Sequence, residues 1–265
     1  MNSRMADPVA DHAAASLDTV LGGRLVLRQM KAGHRAGTDA VLLAAAAGNP
    51  QGLAMDIGAG TGAAGLALAL RAPQLSVCCV EIDAETAMLA RENIVLNNLA
   101  ARAMCITADV LSARSRRAAG LRDASASLVL TNPPFYEVAR GRVSPDPARA
   151  LAHVAPVGAP GTEPFLSRWL RACAALLAPG GQIVMIHRAD ALEALVSGMA
   201  GRFGGLRLLP VHPHAGESAI RVLAAAIKGS RAPLALLPPL VLHEADGRFT
   251  ARAAALHRGE ALIEL

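Results

Sequence analysis

The chain has 265 residues, of which 53% are hydrophobic and only 2% aromatic, and it carries a formal charge of +5. That is enough apolar material to bury one large core, and no apolar run reaches the ~18 residues a membrane span needs. Asp7 and Asp11 near the start, with no apolar h-region, argue against a signal peptide, so a cytoplasmic protein is expected, with residues 1–20 disordered. Cys78, Cys79, Cys105 and Cys173 lack metal-ligand spacing, so reduced core thiols are expected and a resident metal is not.

In chain order, Thr38 reads as the N-cap of a helix over 39–47. Then follow strand 53–57, helix 61–71, strand 77–82, helix 84–98 and strands 103–107 and 126–131. A stretch of about 30 residues rich in Pro, Gly and Arg comes next. It leads to helix 164–177, strand 182–187, helix 189–203 and strands near 206–211 and 219–228. The tail, with Leu240-Val241-Leu242, an Asp246-Gly247 turn, Phe249 and a Thr250-capped helix, suits a final hairpin and helix. Such alternation predicts an α/β fold, a doubly wound, mostly parallel seven-stranded sheet with its last strand pair antiparallel.

Two strand ends carry the chemistry. Strand 53–57 runs into Gly58-Ala59-Gly60-Thr61-Gly62-Ala63-Ala64-Gly65, a glycine-dense turn that admits a ligand against bare backbone. Gly60-x-Gly62-x-x-Gly65, with Glu81 following 21 residues after Gly60, also fits a dinucleotide fingerprint. The fuller pattern Asp56-x-Gly58-x-Gly60-x-Gly62 favours S-adenosylmethionine, whose ammonium needs a carboxylate such as Asp56. Glu81 is then placed for the ribose hydroxyls and Asp109 for the adenine amine, although Asp109 also reads as a helix N-cap.

At the end of Ser127-Leu128-Val129-Leu130 stands Thr131-Asn132-Pro133-Pro134-Phe135. The prolines fix φ and remove two N–H donors, so the Asn132 side-chain oxygen and a backbone oxygen are free to hold both protons of a planar amine. Phe135 offers a face for a stacked base, and Tyr136 adds a second ring. Asn-Pro and Pro-Pro are also ordinary turn formers after strands. Between 112 and 153 lie seven arginines, among them Arg140 and Arg142, against three acids, a basic flank suited to a polyanion or simply to solvent.

Together these residues resemble the class I S-adenosylmethionine-dependent methyltransferases, and Asn132 to Phe135 place the chain with their amino-group branch. The block Gly33-His34-Arg35-Ala36-Gly37-Thr38-Asp39 is similar to the segment before the glycine loop in bacterial enzymes that methylate adenine N6 beside the anticodon of a valine tRNA. The resemblance implies one methyltransferase domain over 21–265, with a cofactor-capping segment at 21–48 that gives Thr38 and Asp39 a cofactor-side role. It also implies a substrate loop at 136–163, tRNA as partner, and direct transfer with S-adenosylhomocysteine as product. Asn132, Pro133, Pro134 and Phe135 then form the catalytic turn, and Tyr136, Arg140 and Arg142 contact substrate. No general base is expected, and His34, His153 and His187 are expected to be structural or surface residues. Three rivals share the chemistry: methylation of a release-factor glutamine, of a guanine amine in ribosomal RNA, and of adenine in DNA. A fourth is an RNA-binding module with a vestigial cofactor fold. Oligomeric state is not legible.

Overall fold

The computed structural model describes residues 15–31, 37–134 and 163–265. An antiparallel hairpin, β1 (Ala15–Val20) with β2 (Leu25–Met30), precedes α1 (Thr38–Ala46). The main body continues β3 (Gly52–Ile57), α2 (Ala63–Arg71), β4 (Leu75–Glu81), α3 (Ala84–Leu96), β5 (Ala103–Thr107), α4 (Ala113–Ala118) and β6 (Ala126–Thr131). After the undescribed stretch come α5 (Phe165–Leu176), β7 (Leu177–Arg188), α6 (Leu192–Met199), β8 (Phe203–His214) and β9 (Arg221–Lys228). Two short strands, β10 (Ala235–Leu236) and β11 (Leu240–His243), and a helix, α7 (Ala251–His257), complete it.

The main sheet runs β10-β8-β9-β7-β6-β3-β4-β5, with β11 also on β8. Only β9 is antiparallel to its neighbours, β7 and β8. The seven expected strands are therefore present, and β10 and β11 extend the sheet to nine by pairing parallel with β8. Strands such as β6 and β7 are apolar nearly throughout because helices cover both faces. One core packs the hairpin, α1, α2, α3 and α7 on one face, and a second packs α5 and α6 on the other.

Several expectations change. Residues 15–20, expected to be disordered, form β1, while 1–14 lie outside the described residues. Gly37 is the N-cap of α1 and makes no side-chain cap bond; Thr38 is already helical. The helix expected at 189–203 is only Leu192–Met199, behind a 3-10 turn, because β8 starts at Phe203. The tail strand pairs parallel with β8, and only the His243–Phe249 bridge supplies the antiparallel contact expected of a hairpin. All four cysteines are free and buried, and burial pushes the Cys78 and Cys173 thiols up to about 12.

Hairpin and body are joined by two helical asparagines. Asn97 accepts from the Val26 N–H (2.9 Å) and donates to the Val26 carbonyl (2.7 Å), so its amide imitates a strand neighbour. Asn93, fully buried, does the same with Arg28 and also donates to the Thr61 carbonyl (3.0 Å) in the glycine turn.

Candidate active site

Strand β3 lies between β4 and β6, and the chain visits β4 first and returns to β6 later. The carboxyl ends of β3 and β6 therefore flank a topological switch point, where open α/β sheets form their ligand crevice. Ile57 and Thr131 are in register across it, so the glycine turn and the Asn132 turn leave the sheet side by side.

The glycine turn is held from below and from the side. Gly58 and Ala59 donate to the Val80 carbonyl (2.9 and 3.1 Å). Glu81 closes the loop: Oε2 accepts from Gly60 N–H (2.8 Å), while Oε1 accepts from Ile82 and Asp83 N–H (2.8 and 3.0 Å). A carboxylate has about four acceptor positions, so one or more remain for a hydroxyl pair. Gly58 has φ +69° and Gly60 φ +57°, left-handed values that disfavour a side chain. A Cβ at Gly58 would meet the Trp169 ring at 3.1 Å, whereas one at Gly60 would meet nothing within 4 Å among the described residues. Gly60 is thus the residue whose bare backbone faces open space, and Gly62 caps α2 at φ +88°.

Asp56 sits beneath this loop, 2% exposed, with Oδ2 accepting from Gly65 N–H at 2.7 Å. Burial raises its pKa to about 7, the Gly65 bond opposing and the Glu81 charge adding to the rise. The folded state therefore binds the Asp56 proton more tightly than the unfolded chain does. Its stabilising contribution is full below the unfolded value of 3.8 and is lost as pH rises to about 7. Chemical denaturation across that window should show wild type losing stability relative to Asp56→Asn, with the difference level above it. A difference that does not change with pH would show Asp56 ionised throughout.

Beyond β6, Asn132 Oδ1 is buried and has no hydrogen-bond partner among the described residues. Such an atom costs about 1–3 kcal/mol unless something binds it. Pro133 is buried and Pro134 exposed. Under the turn, Trp169 Nε1 donates to Thr131 Oγ1 (2.9 Å), which donates to the Ile57 carbonyl (2.9 Å). The indole thus braces both strand ends, and Phe165 leans on it at 5.5 Å.

Other expected residues fall further out. Asp109 lies past β5, two strands from β3; its Oδ1 accepts from Leu111 N–H, and Ser112, not Asp109, caps α4. Ile82, 60% exposed next to Glu81, offers an apolar wall on that side. Asp39 pairs with Arg221 at the start of β9 (2.9 Å), on the opposite flank of the crevice from Asp109. Within the basic flank, Arg116 is buried and donates to the Val110 carbonyl (2.7 Å), while Arg114, Arg117 and Arg122 are exposed. Phe135, Tyr136, Arg140, Arg142, His34 and His153 lie outside the described residues. His187 is buried on β7, with its pKa lowered to about 4 by burial. Sequence reading missed Trp169, Thr131, Asn93 and Arg221. Asn93 alone left a signal, an amide in mid-helix where such residues are disfavoured. Among the described residues no cluster of three or more His, Cys, Asp or Glu is placed to hold a metal, and no helix is long and apolar enough to cross a membrane.

The model of the methyltransferase small domain matches residues 35–155. A tRNA1(Val) (adenine(37)-N6)-methyltransferase of Cronobacter sakazakii is 35% identical over 198 residues, 72% of this chain and 74% of that protein. One of the same name from Porphyromonas gingivalis is 33% identical over 177 residues, 65% of this chain, and this chain spans just under two thirds (66%) of its length. Among solved structures, an Agrobacterium tumefaciens protein described as a predicted O-methyltransferase is 33% identical with a TM-score of 0.70, covering 86% of this chain and 99% of that one. Pyrococcus horikoshii TYW2 in complex with MeSAdo shares the fold at 14% identity and a TM-score of 0.53, over 82% of this chain and 72% of that one. The chain belongs to the class I methyltransferases, in the family of the tRNA1(Val) adenine-N6 methyltransferases that it matches.

Proposed function

We propose that the protein is an S-adenosylmethionine-dependent N-methyltransferase whose acceptor is adenine N6 in tRNA, with valine tRNA beside the anticodon as the target. The observation that carries the reading is Asn132 Oδ1, buried and unpartnered at the carboxyl end of β6 beside the glycine turn. An acceptor oxygen of that kind calls for an N–H. The names of the relatives divide between a nitrogen and an oxygen acceptor, and a buried acceptor oxygen favours the amine. An alcohol has one proton to give, whereas an amine can use both Asn132 and the Pro133 carbonyl.

The chain's residues fit the cofactor: an open backbone at Gly60, a carboxylate with spare acceptor capacity at Glu81, and the exposed apolar side chain of Ile82 beside it. S-adenosylmethionine, when bound, supplies a methyl group on a sulfonium and leaves as S-adenosylhomocysteine. Asn132 and the Pro133 carbonyl hold the two amine protons, which pulls the nitrogen lone pair out of conjugation and aims it across the crevice. No side-chain base is invoked, since the amine proton is acidic once transfer is under way. Asp109 stands at the adenine end of the cofactor, and Thr38 and Asp39 belong to the capping segment 21–48. The loop 136–163, with Phe135, Tyr136, Arg140 and Arg142, grips the RNA. The whole of 21–265 acts as one domain in the cytoplasm.

A tritiated-methyl assay on total tRNA, ribosomes and release factor, followed by nucleoside mass spectrometry, tests this. N6-methyladenosine in valine tRNA is expected; label in a release-factor glutamine, in ribosomal guanine or in no substrate overturns it. Glu81→Ala should weaken S-adenosylhomocysteine binding by ~1.5–3 kcal/mol, the scale of hydrogen bonds to a charged group. Calorimetry showing unchanged affinity removes Glu81 from the ribose.

A further inference from the structure

Four rings form a column at the far end of the sheet. His214 ends β8 and His243 ends β11, with centroids 5.5 Å apart. Phe249 stacks on His243 at 4.9 Å, and His257 stacks on Phe249 at 4.3 Å with 25° between planes. Phe249 is 40% exposed, although Trp169 and Phe203 are buried. It is one of only six aromatic residues in the chain, and it lies between two histidine rings at the surface.

The His257 end of the column forms one wall of a cavity of about 530 Å³, within the ~300–1,000 Å³ of small-molecule sites. Opposite stand Thr19 and Gly23 of the hairpin and Gly37 and Thr38 at the start of α1. Among the described residues a Cβ on Gly23 or Gly37 would meet nothing within 4 Å, so both backbones border the cavity without a close neighbour there. Burial and the neighbouring His243 hold the His257 imidazole below its ordinary pKa. Its Nε2 has no partner among the described residues.

Because β8 and β11 run parallel to β7, the residues that end them lie on the same carboxyl edge as Asn132. Four strand spacings separate β6 from β11, about 19 Å at ~4.8 Å each. A single-stranded RNA segment crosses that span in a few nucleotides, and α1, which packs on β6 and β7, places Thr38 between the two sites. We propose that this cavity takes an unpaired nucleobase of the RNA substrate, stacked on His257 as a continuation of the ring column that Phe249 supports from behind, a few nucleotides from the methylated adenine. The proposal rests on the tRNA reading above. Stacking on a ring end is tolerant of base identity, so the cavity adds affinity and holds the strand's path without reading sequence.

The test measures methylation kinetics with unmodified valine tRNA transcript together with proton spectra of the wild-type protein carrying 13C-labelled histidine rings. Phe249→Ala should raise KM for tRNA about tenfold, with kcat and S-adenosylhomocysteine affinity held, and Phe249→Tyr should restore KM. In wild type, saturating tRNA should move the His257 ring protons upfield through the ring current of the stacked base, a readout that needs no variant to fold. Wild-type protein that methylates tRNA while His257 stays unmoved, or while KM is indifferent to Phe249→Ala, overturns the cavity assignment. Wild-type protein that neither binds nor methylates tRNA overturns the substrate reading instead.

Discussion

Asn132→Ala should abolish nearly all turnover while S-adenosylhomocysteine affinity stays within about tenfold, because the loss falls on the transition state. The substitution removes a buried acceptor that has no partner among the described residues and leaves the Glu81 clamp, the Gly65–Asp56 bond and the Trp169 brace untouched. Relieving an unsatisfied oxygen should even leave the fold unharmed or slightly more stable. The expected signature is therefore an active-site variant with normal or raised Tm and almost no product, read by single-turnover methylation. Wild-type rates in this variant would remove Asn132 from the chemistry, and the reading built on it would go with it.

Two neighbouring glycines should fail in opposite ways. Gly58→Ala combines a left-handed φ of +69° with a Cβ at 3.1 Å from the Trp169 ring. The indole cannot step aside without breaking its bond to Thr131, so overpacking and backbone strain add, at about 2–5 kcal/mol of stability. Gly60→Ala carries the same kind of φ but meets none of the described residues, so it should cost only ~1 kcal/mol of stability. Its methyl would instead occupy the opening over the turn and reduce cofactor affinity. Denaturation and calorimetry on the two variants separate these effects; equal losses of affinity and stability in both would show that the open side of Gly60 is not where the ligand lies.

Sequence pattern sufficed for the sheet because buried parallel strands are short apolar runs that end in glycine or proline turns, as at Ile57 and Thr131. It failed where the stabilising partner is remote. Strand β1 is half polar and gives no local signal, and its hairpin is fixed by Asn93 and Asn97, 65 and 71 residues further along. The Trp169–Thr131 bond spans 38 residues, and neither residue advertises it. Arg116 looked like part of a solvated basic flank, yet its guanidinium is turned inward to a carbonyl only six residues away. Asp39 likewise pairs with an arginine 182 residues distant, a contact that no local pattern announces. Charge counted along the chain cannot anticipate such pairings.

The double grip of Asn93 makes the hairpin an indicator of the loop beside it. One end of that amide closes the Arg28 N–H, and the other holds the Thr61 carbonyl in the glycine turn. An excursion of the turn that carries Thr61 away tugs on the amide that shields Arg28. Deuterium uptake at the Arg28 backbone therefore registers the opening and closing of the glycine turn from a strand that need not touch the ligand.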